Sequence, residues 1–285
     1  MELKTILEGL YQGRSQAHLA NDPLSFCHRY QSREDREIVG LIAASFAYGN
    51  VKIIKKNLEV VFAAMGDSPR RFVERFDPQQ GLLLFAGFKH RFNDGRDLCA
   101  LLFAAQTMLL QAGSIEAWML RFHDEAREDV TQTLTGFTEA VKSLDLSPVF
   151  GPQGMPDDAY FHFLFPSPAS GSACKRLCMY LRWMVRPEDG IDLGLWQGIS
   201  PAKLVIPVDA HIQRICRFLG FTRRKQADWR MAREITARLR ELDPADPVKY
   251  DFSICHLGIS EGCDGKDHLK CANCPIAGIC STGSP

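Results

Sequence analysis

Apolar residues recur at helical spacing along most of this chain. In EDREIVGLIAASFAYG, residues 34–49, Ile38, Ile42, Ala43 and Phe46 fall on one stripe. VKIIKKNLEVVFAAM, residues 51–65, repeats the pattern with Ile53, Ile54, Leu58 and Val61. Further periodic segments are DLCALLFAAQTMLLQ, SIEAWMLRFHDEA, VTQTLTGFTEAVKSL, KRLCMYLRWMVR, VDAHIQRICRFLGF, DWRMAREITARLREL and VKYDFSICHLG. Ser114 stands where an N-cap belongs. Convincing alternation of polar and apolar residues is absent, so the predicted fold class is all-α. Breaks are expected at Asp77–Gly81, at the Pro- and Gly-rich Asp145–Asp158, and at Arg186–Pro207.

Composition bounds this only loosely. The 285 residues suffice for two modest domains or one large one, and 46% hydrophobic content allows a sizeable core. The formal net charge is zero, so any polyanion partner has to be met by a local patch. The amphipathic N-terminus lacks the apolar core of a signal peptide, and no apolar run is long enough to span a bilayer. A cytoplasmic protein with no membrane partner is expected. Ten cysteines in such a chain argue for thiols and metal rather than disulfides. Cys27, Cys99, Cys174, Cys178 and Cys216 lie in apolar contexts and are expected to be small buried hydrophobes.

The remaining cysteines gather near the end. Cys263, Cys271, Cys274 and Cys280, in CDGKDHLKCANCPIAGIC, have one C-x2-C pair, one Cys five residues on and one seven residues before. Zinc knots usually carry two such pairs. Four thiolates at this spacing suit a [4Fe–4S] cluster, with zinc as the alternative. Cys255 is a candidate extra ligand.

Two further stretches carry candidate chemistry. In IPVDAHIQRICRFLGF, Asp209 stands at a helix start. It is an N-cap by composition, and equally a carboxylate held rigidly at a helix mouth. In FPSPASGSACKRLCMYLRWMVR, a turn through Gly171 delivers the chain into a helix expected to start near Ser172. Lys175 then lies at the positive end of the helix dipole, which favours a nucleophilic amine over the charged form. Small residues and free N–H groups there suit a phosphate. Residues 171–225 carry ten Lys and Arg against four Asp and Glu, a local +6 that suits DNA. A solvated face with acidic partners from elsewhere is the alternative.

Together these stretches resemble the helix–hairpin–helix DNA glycosylase superfamily, in its endonuclease III-like form. The cysteine tail is similar to that family's C-x6-C-x2-C-x5-C loop, with one extra residue in the first gap. VDAHIQRICRFLG is similar to its V-D-T-H-V-x-R-V-x-x-R-L-G segment, which places the catalytic aspartate at Asp209. GSACKR aligns with its G-x-G-x-K-T hairpin, with Gly171 at the first glycine, Ala173 at the second and Lys175 at the catalytic lysine. EIVGLIAASFAYGNVKIIKKNL resembles its early helix pair. The second glycine and the threonine are missing here. An insertion of about fifteen residues, RPEDGIDLGLWQGISPAKL, resembles that of the archaeal 8-oxoguanine glycosylases. The nearest likeness is to an uncharacterised bacterial family within the superfamily, marked by KRL…LRWMVR and D-x-G-L-W.

The resemblance implies two helical lobes with a cleft between them. Residues 1–60 with 222–285 would form the metal-bearing lobe, and 61–221 a central barrel with the hairpin. It implies a monomeric, nucleoid-associated repair enzyme for double-stranded DNA with a damaged base, an oxidised purine among the candidates. Lys175 would attack the sugar and Asp209 would assist, with an AP lyase step. Gly171, Ser172, Arg176, Arg182 and Arg186 are the expected backbone contacts. Trp183 and Trp196 are candidates for stacking and Asp251 for reading a base edge, against core packing and a plain helix-face carboxylate. The alternative is an iron–sulfur DNA-binding protein of the same fold that catalyses nothing.

Overall fold

The computed structural model describes residues 3–13, 16–259, 262–265 and 268–281. Among these, the helices of nine residues or more are α1 (Leu3–Gln12), α2 (Arg33–Ser45), α3 (Val51–Met65), α4 (Gly95–Ala112), α5 (Thr131–Lys142), α6 (Lys175–Val185), α7 (Ala210–Phe218), α8 (Trp229–Leu242) and α9 (Asp251–Ile259). The all-α expectation holds, apart from one two-stranded antiparallel hairpin of β1 (Lys89–His90) and β2 (Asn93–Asp94). Among the described residues no helix is long and apolar enough to cross a membrane.

Helix starts follow local chemistry. Ser32, Asn50, Asp94, Ser114 and Asp228 each accept a backbone N–H bond into the first turn of the helix that follows. Three expectations fail. Asp77–Gly81 is not a break: Asp77 caps a short helix, Pro78–Leu84, whose first turn accommodates the proline. The helix begun at Ser114 ends at Leu120 instead of running on to residue 126. In α3, Ile53 is exposed and the buried stripe is Ile54, Leu58, Val61, Phe62 and Met65.

Two helix pairs position the site. α2 and α6 are buried along almost their whole length and pack against each other. Gly40 permits this approach, because a Cβ there would lie 2.6 Å from the Met184 Cε. α7 packs on α9 in the same way: a Cβ at Gly258 would lie 2.3 Å from the His211 Nδ1. One connected apolar core runs from Ile6 to Ile276, and Cys27, Cys99, Cys174, Cys178 and Cys216 are all buried in it.

Candidate active site

The two pairs enclose a cleft of about 580 Å³. Its lining comes from residues 21–54, from 175–182, from 207–211 and from 251–259. Lys175 and Asp209, the two residues singled out for catalysis, both line it. Lys175 is the first residue of α6, and its Nζ donates to the Ala47 carbonyl at 3.4 Å. Among the described residues it forms no ion pair. Asp209 caps α7: its Oδ1 accepts from the His211 and Ile212 amides, both at 2.8 Å. Its Oδ2 accepts from the Cys255 thiol at 3.4 Å. The carboxylate is therefore both a cap and a cleft group, the two roles read for it in the sequence.

The turn before α6 differs from expectation. The helix starts at Lys175, not near Ser172, because Ser172 pairs with Asp228 in an isolated bridge and its Oγ accepts from the Cys174 amide. The Trp229 amide donates to the Gly171 carbonyl and ties the turn to α8. Gly171 has φ 77° and Cys174 has φ 48°, both left-handed, whereas Ala173 does not. The only glycine the turn requires is Gly171, so alanine at the second glycine position of GSACKR is tolerated. Neither Gly171 nor Ser172 lines the cleft.

Several expected DNA contacts are corrected by burial. Arg182 and Arg186 are 4% and 2% exposed. Arg182 pairs with Asp251 and, at 3.1 Å, with Asp192. Arg186 pairs with Asp192, with Asp189 at 3.1 Å and with Asp246 at 2.9 Å. These guanidiniums neutralise buried carboxylates, which removes the phosphate role given to them. Arg176 lines the cleft, but its donors go to the Ser45 carbonyl at 2.8 Å and to the Phe163 carbonyl. Burial lowers its pKa to about 10. Trp183 is wholly buried, and Trp196 donates to Glu37 at 2.9 Å inside the core, so neither is a stacking surface. Of the ten cations in residues 171–225, only Arg217, Arg223 and Lys225 are exposed. The +6 surface of the linear sequence does not exist as a surface.

The charges that remain in the cleft are balanced, and much of the rest of its lining is apolar. Lys175, Arg176 and Arg182 face Asp22, Asp209 and Asp251. Burial raises Asp251 to about 6, against the nearby Arg182. It raises Asp22 as well, again opposed by Arg182. His256 is lowered to about 4, first by burial and then by His18. The Arg182 Nη2 is buried without a hydrogen-bond partner. Such an orphaned donor on a cleft wall suits a ligand carbonyl or ring nitrogen.

Cys255 belongs to this cleft. Burial, Asp209 and Asp251 all raise its thiol pKa, and its partner is Asp209. Cys263, Cys271, Cys274 and Cys280 are all half-buried. Cys274 is raised by burial and further by the other three, so all four are within electrostatic reach. Among the described residues, no group of three or more His, Cys, Asp or Glu side chains is arranged to hold a metal ion. The tail is tied to α7 instead: Arg214 donates to the Cys263 carbonyl, and the Ser281 amide to the Phe218 carbonyl at 2.9 Å.

A family model described as a protein of unknown function (DUF2400) matches residues 22–260. The chain belongs to the DUF2400 family. No curated protein and no solved structure matches it. The DUF2400 match begins at Asp22 and ends just past Ile259, so it spans the cleft lining from Asp22 onward and stops short of the four tail cysteines. Asp22, Tyr48, His211, Cys255 and His256 are cleft residues that sequence reasoning did not assign to the site. Asp22 stands before Pro23 as an ordinary cap signal, and nothing local marks it as more.

Proposed function

We propose that this protein is a DNA glycosylase with an AP lyase step, acting on a damaged base, an oxidised purine among the candidates. The observation that carries the reading is that Lys175 and Asp209 line one cleft, the lysine at a helix start and the aspartate capping another helix. The motif resemblance supplies the chemistry. A base inside a duplex is out of reach, so the nucleotide leaves the stack and enters the cleft. The charge balance of the cleft favours a neutral heterocycle over a phosphate, and the free Arg182 Nη2 is a donor for its edge.

The Lys175 amine attacks C1′ of the sugar. The C1′–N glycosidic bond breaks, and the base leaves with the electron pair and takes up a proton. The Asp209 carboxylate stabilises the positive charge that develops on the sugar and accepts a proton from the amine. Opening of the sugar ring at O4′ gives a Schiff base between Lys175 and C1′. Loss of a C2′ proton then breaks the C3′–O bond and expels the 3′ phosphate. Cys263, Cys271, Cys274 and Cys280 are the thiolates proposed for a [4Fe–4S] cluster, or for zinc. Its proposed part is to fold the tail against α7, with no step of the reaction routed through it.

The test is a panel of duplexes containing 8-oxoguanine, uracil, thymine glycol or an abasic site, scored for base release and strand scission. Release of one damaged base, lost in Lys175→Gln, is the expected result. No release and no scission on any duplex, with binding intact, leaves the non-catalytic DNA-binding alternative.

A further inference from the structure

Three large rings stand exposed beside the cleft mouth. Phe92, Tyr160 and Phe163 are 49%, 44% and 40% exposed. Phe92 and Tyr160 stack with centroids 5.4 Å apart and planes 24° apart. Phe163 meets Phe92 edge-on at 6.0 Å and Tyr48 at 5.1 Å. Tyr48 lines the cleft, so the rings form an unbroken series from the cleft wall to the tip of the β1–β2 hairpin.

The surface is held in place. Tyr48 donates to the His90 carbonyl at 2.9 Å, Asn57 to the Lys89 carbonyl at 2.9 Å, and Asn93 to the Tyr160 carbonyl at 3.0 Å. Arg91 occupies the left-handed region with φ 53°, and its guanidinium covers the Phe92 ring at 5.4 Å. Its side chain also lies over the cleft residue Gly49, where a Cβ would come within 3.0 Å of the Arg91 Cδ. Large rings fixed in water contribute little to the core, and a contiguous group of them marks a binding surface.

Charges of both signs lie beside these rings: Arg96 pairs with Asp94 and Asp158, and four further cations are left over. Lys52, Lys56, Lys89 and Arg91 are all exposed and, among the described residues, none forms an ion pair. Lys52 and Lys56 lie one turn apart on α3, the helix that packs on β1. By contrast, Arg182, Arg186 and Arg224, which the linear sequence placed in the DNA patch, are held by carboxylates.

We propose that this surface is a stacking platform for unstacked nucleotides of a DNA strand leading into the cleft. Ring faces take the bases, and the four cations take the phosphates. Every base has a π-face, so such a platform tolerates sequence and prefers a strand already opened. The proposal rests on the DNA-acting reading but does not depend on catalysis.

The experiment measures fluorescence anisotropy of the full-length protein with a labelled single strand, a fully paired duplex and a duplex carrying an unpaired bulge. The single strand and the bulged duplex are expected to bind about tenfold or more tightly than the paired duplex. The Phe92→Leu/Tyr160→Leu double variant keeps apolar bulk and removes two π-faces. Stacking is worth roughly 5- to 150-fold in affinity per base, so this variant is expected to lose tenfold or more on the single strand. Its melting temperature is expected to match wild type, because both rings are half exposed. Equal or tighter binding to paired duplex overturns the platform. So does unchanged single-strand affinity in the double variant, the result for a patch that docks an apolar protein surface. A wild type that binds the strand through these rings, yet gives no borohydride-trapped adduct with abasic DNA, overturns Lys175 as the nucleophile and leaves the platform standing.

Discussion

Asp209→Asn and Asp209→Ala separate the two jobs assigned to one carboxylate. Its Oδ1 accepts two amides at 2.8 Å at the start of α7, and its Oδ2 faces Cys255 in the cleft. Alanine removes the cap and costs about 1 kcal/mol. In a chain of this size that lowers the melting temperature by about 2 °C. Asparagine caps a helix as well as aspartate does, so the melting temperature of Asp209→Asn stays within about 1 °C of wild type. Base release behaves differently. Asparagine cannot accept the amine proton or offset charge on the sugar, so both variants lose about 10²- to 10⁴-fold in single-turnover rate. The assay is differential scanning calorimetry beside single-turnover base release on the preferred duplex. A near-wild-type rate in Asp209→Asn, with the cap effect present in Asp209→Ala, refutes the catalytic half of the argument. An unchanged melting temperature in Asp209→Ala refutes the capping half.

Three further outcomes are expected. Arg186→Met leaves the fully buried Asp192 short of one partner and costs about 3 kcal/mol in chemical denaturation; a cost under about 1 kcal/mol contradicts the buried network. Asp251 has its folded pKa raised from 3.8 to about 6, so the folded state holds the extra proton between those values. Its contribution is fully present below pH 3.8 and is lost as pH rises to about 6; the difference in stability between wild type and Asp251→Asn therefore falls across that window, and a flat difference rules it out. Cys271→Ser is expected to lower the iron and sulfide content of freshly purified protein while Cys255→Ser leaves it unchanged; the reverse pattern moves the ligand set into the cleft.

The helices were legible because each apolar stripe repeats within a single segment. α3 and α6 end within a residue of the periodic stretches that announce them. Asp209 was legible as a cap for the same reason, since both of its amide partners are within three residues. The charge patch misled because a count along the chain ignores partners. Asp251 is 69 residues from Arg182 and Asp192 is brought back to it by the turn after α6, and their pairing makes the guanidinium part of the interior. Trp183 and Trp196 were hidden in the same way: α6 is buried on nearly all sides by α2 and by the segment after it, whose Trp196 amide bonds the Met184 carbonyl at 2.7 Å. Cys255 looked like an outlier of the metal motif because it is near in sequence. Its position on α9 turns it toward Asp209. The exposed rings had no linear signature, since Phe92 is at the hairpin tip while Tyr160 and Phe163 belong to a distant short helix and the residue before it.

The central claim is that Lys175 is the nucleophile. Incubating the protein with abasic-site duplex and borohydride, then mapping any adduct by peptide mass spectrometry, tests it most directly. A covalent protein–DNA adduct on Lys175 that disappears in Lys175→Gln is expected. No adduct from wild type, or one that persists in Lys175→Gln, contradicts it.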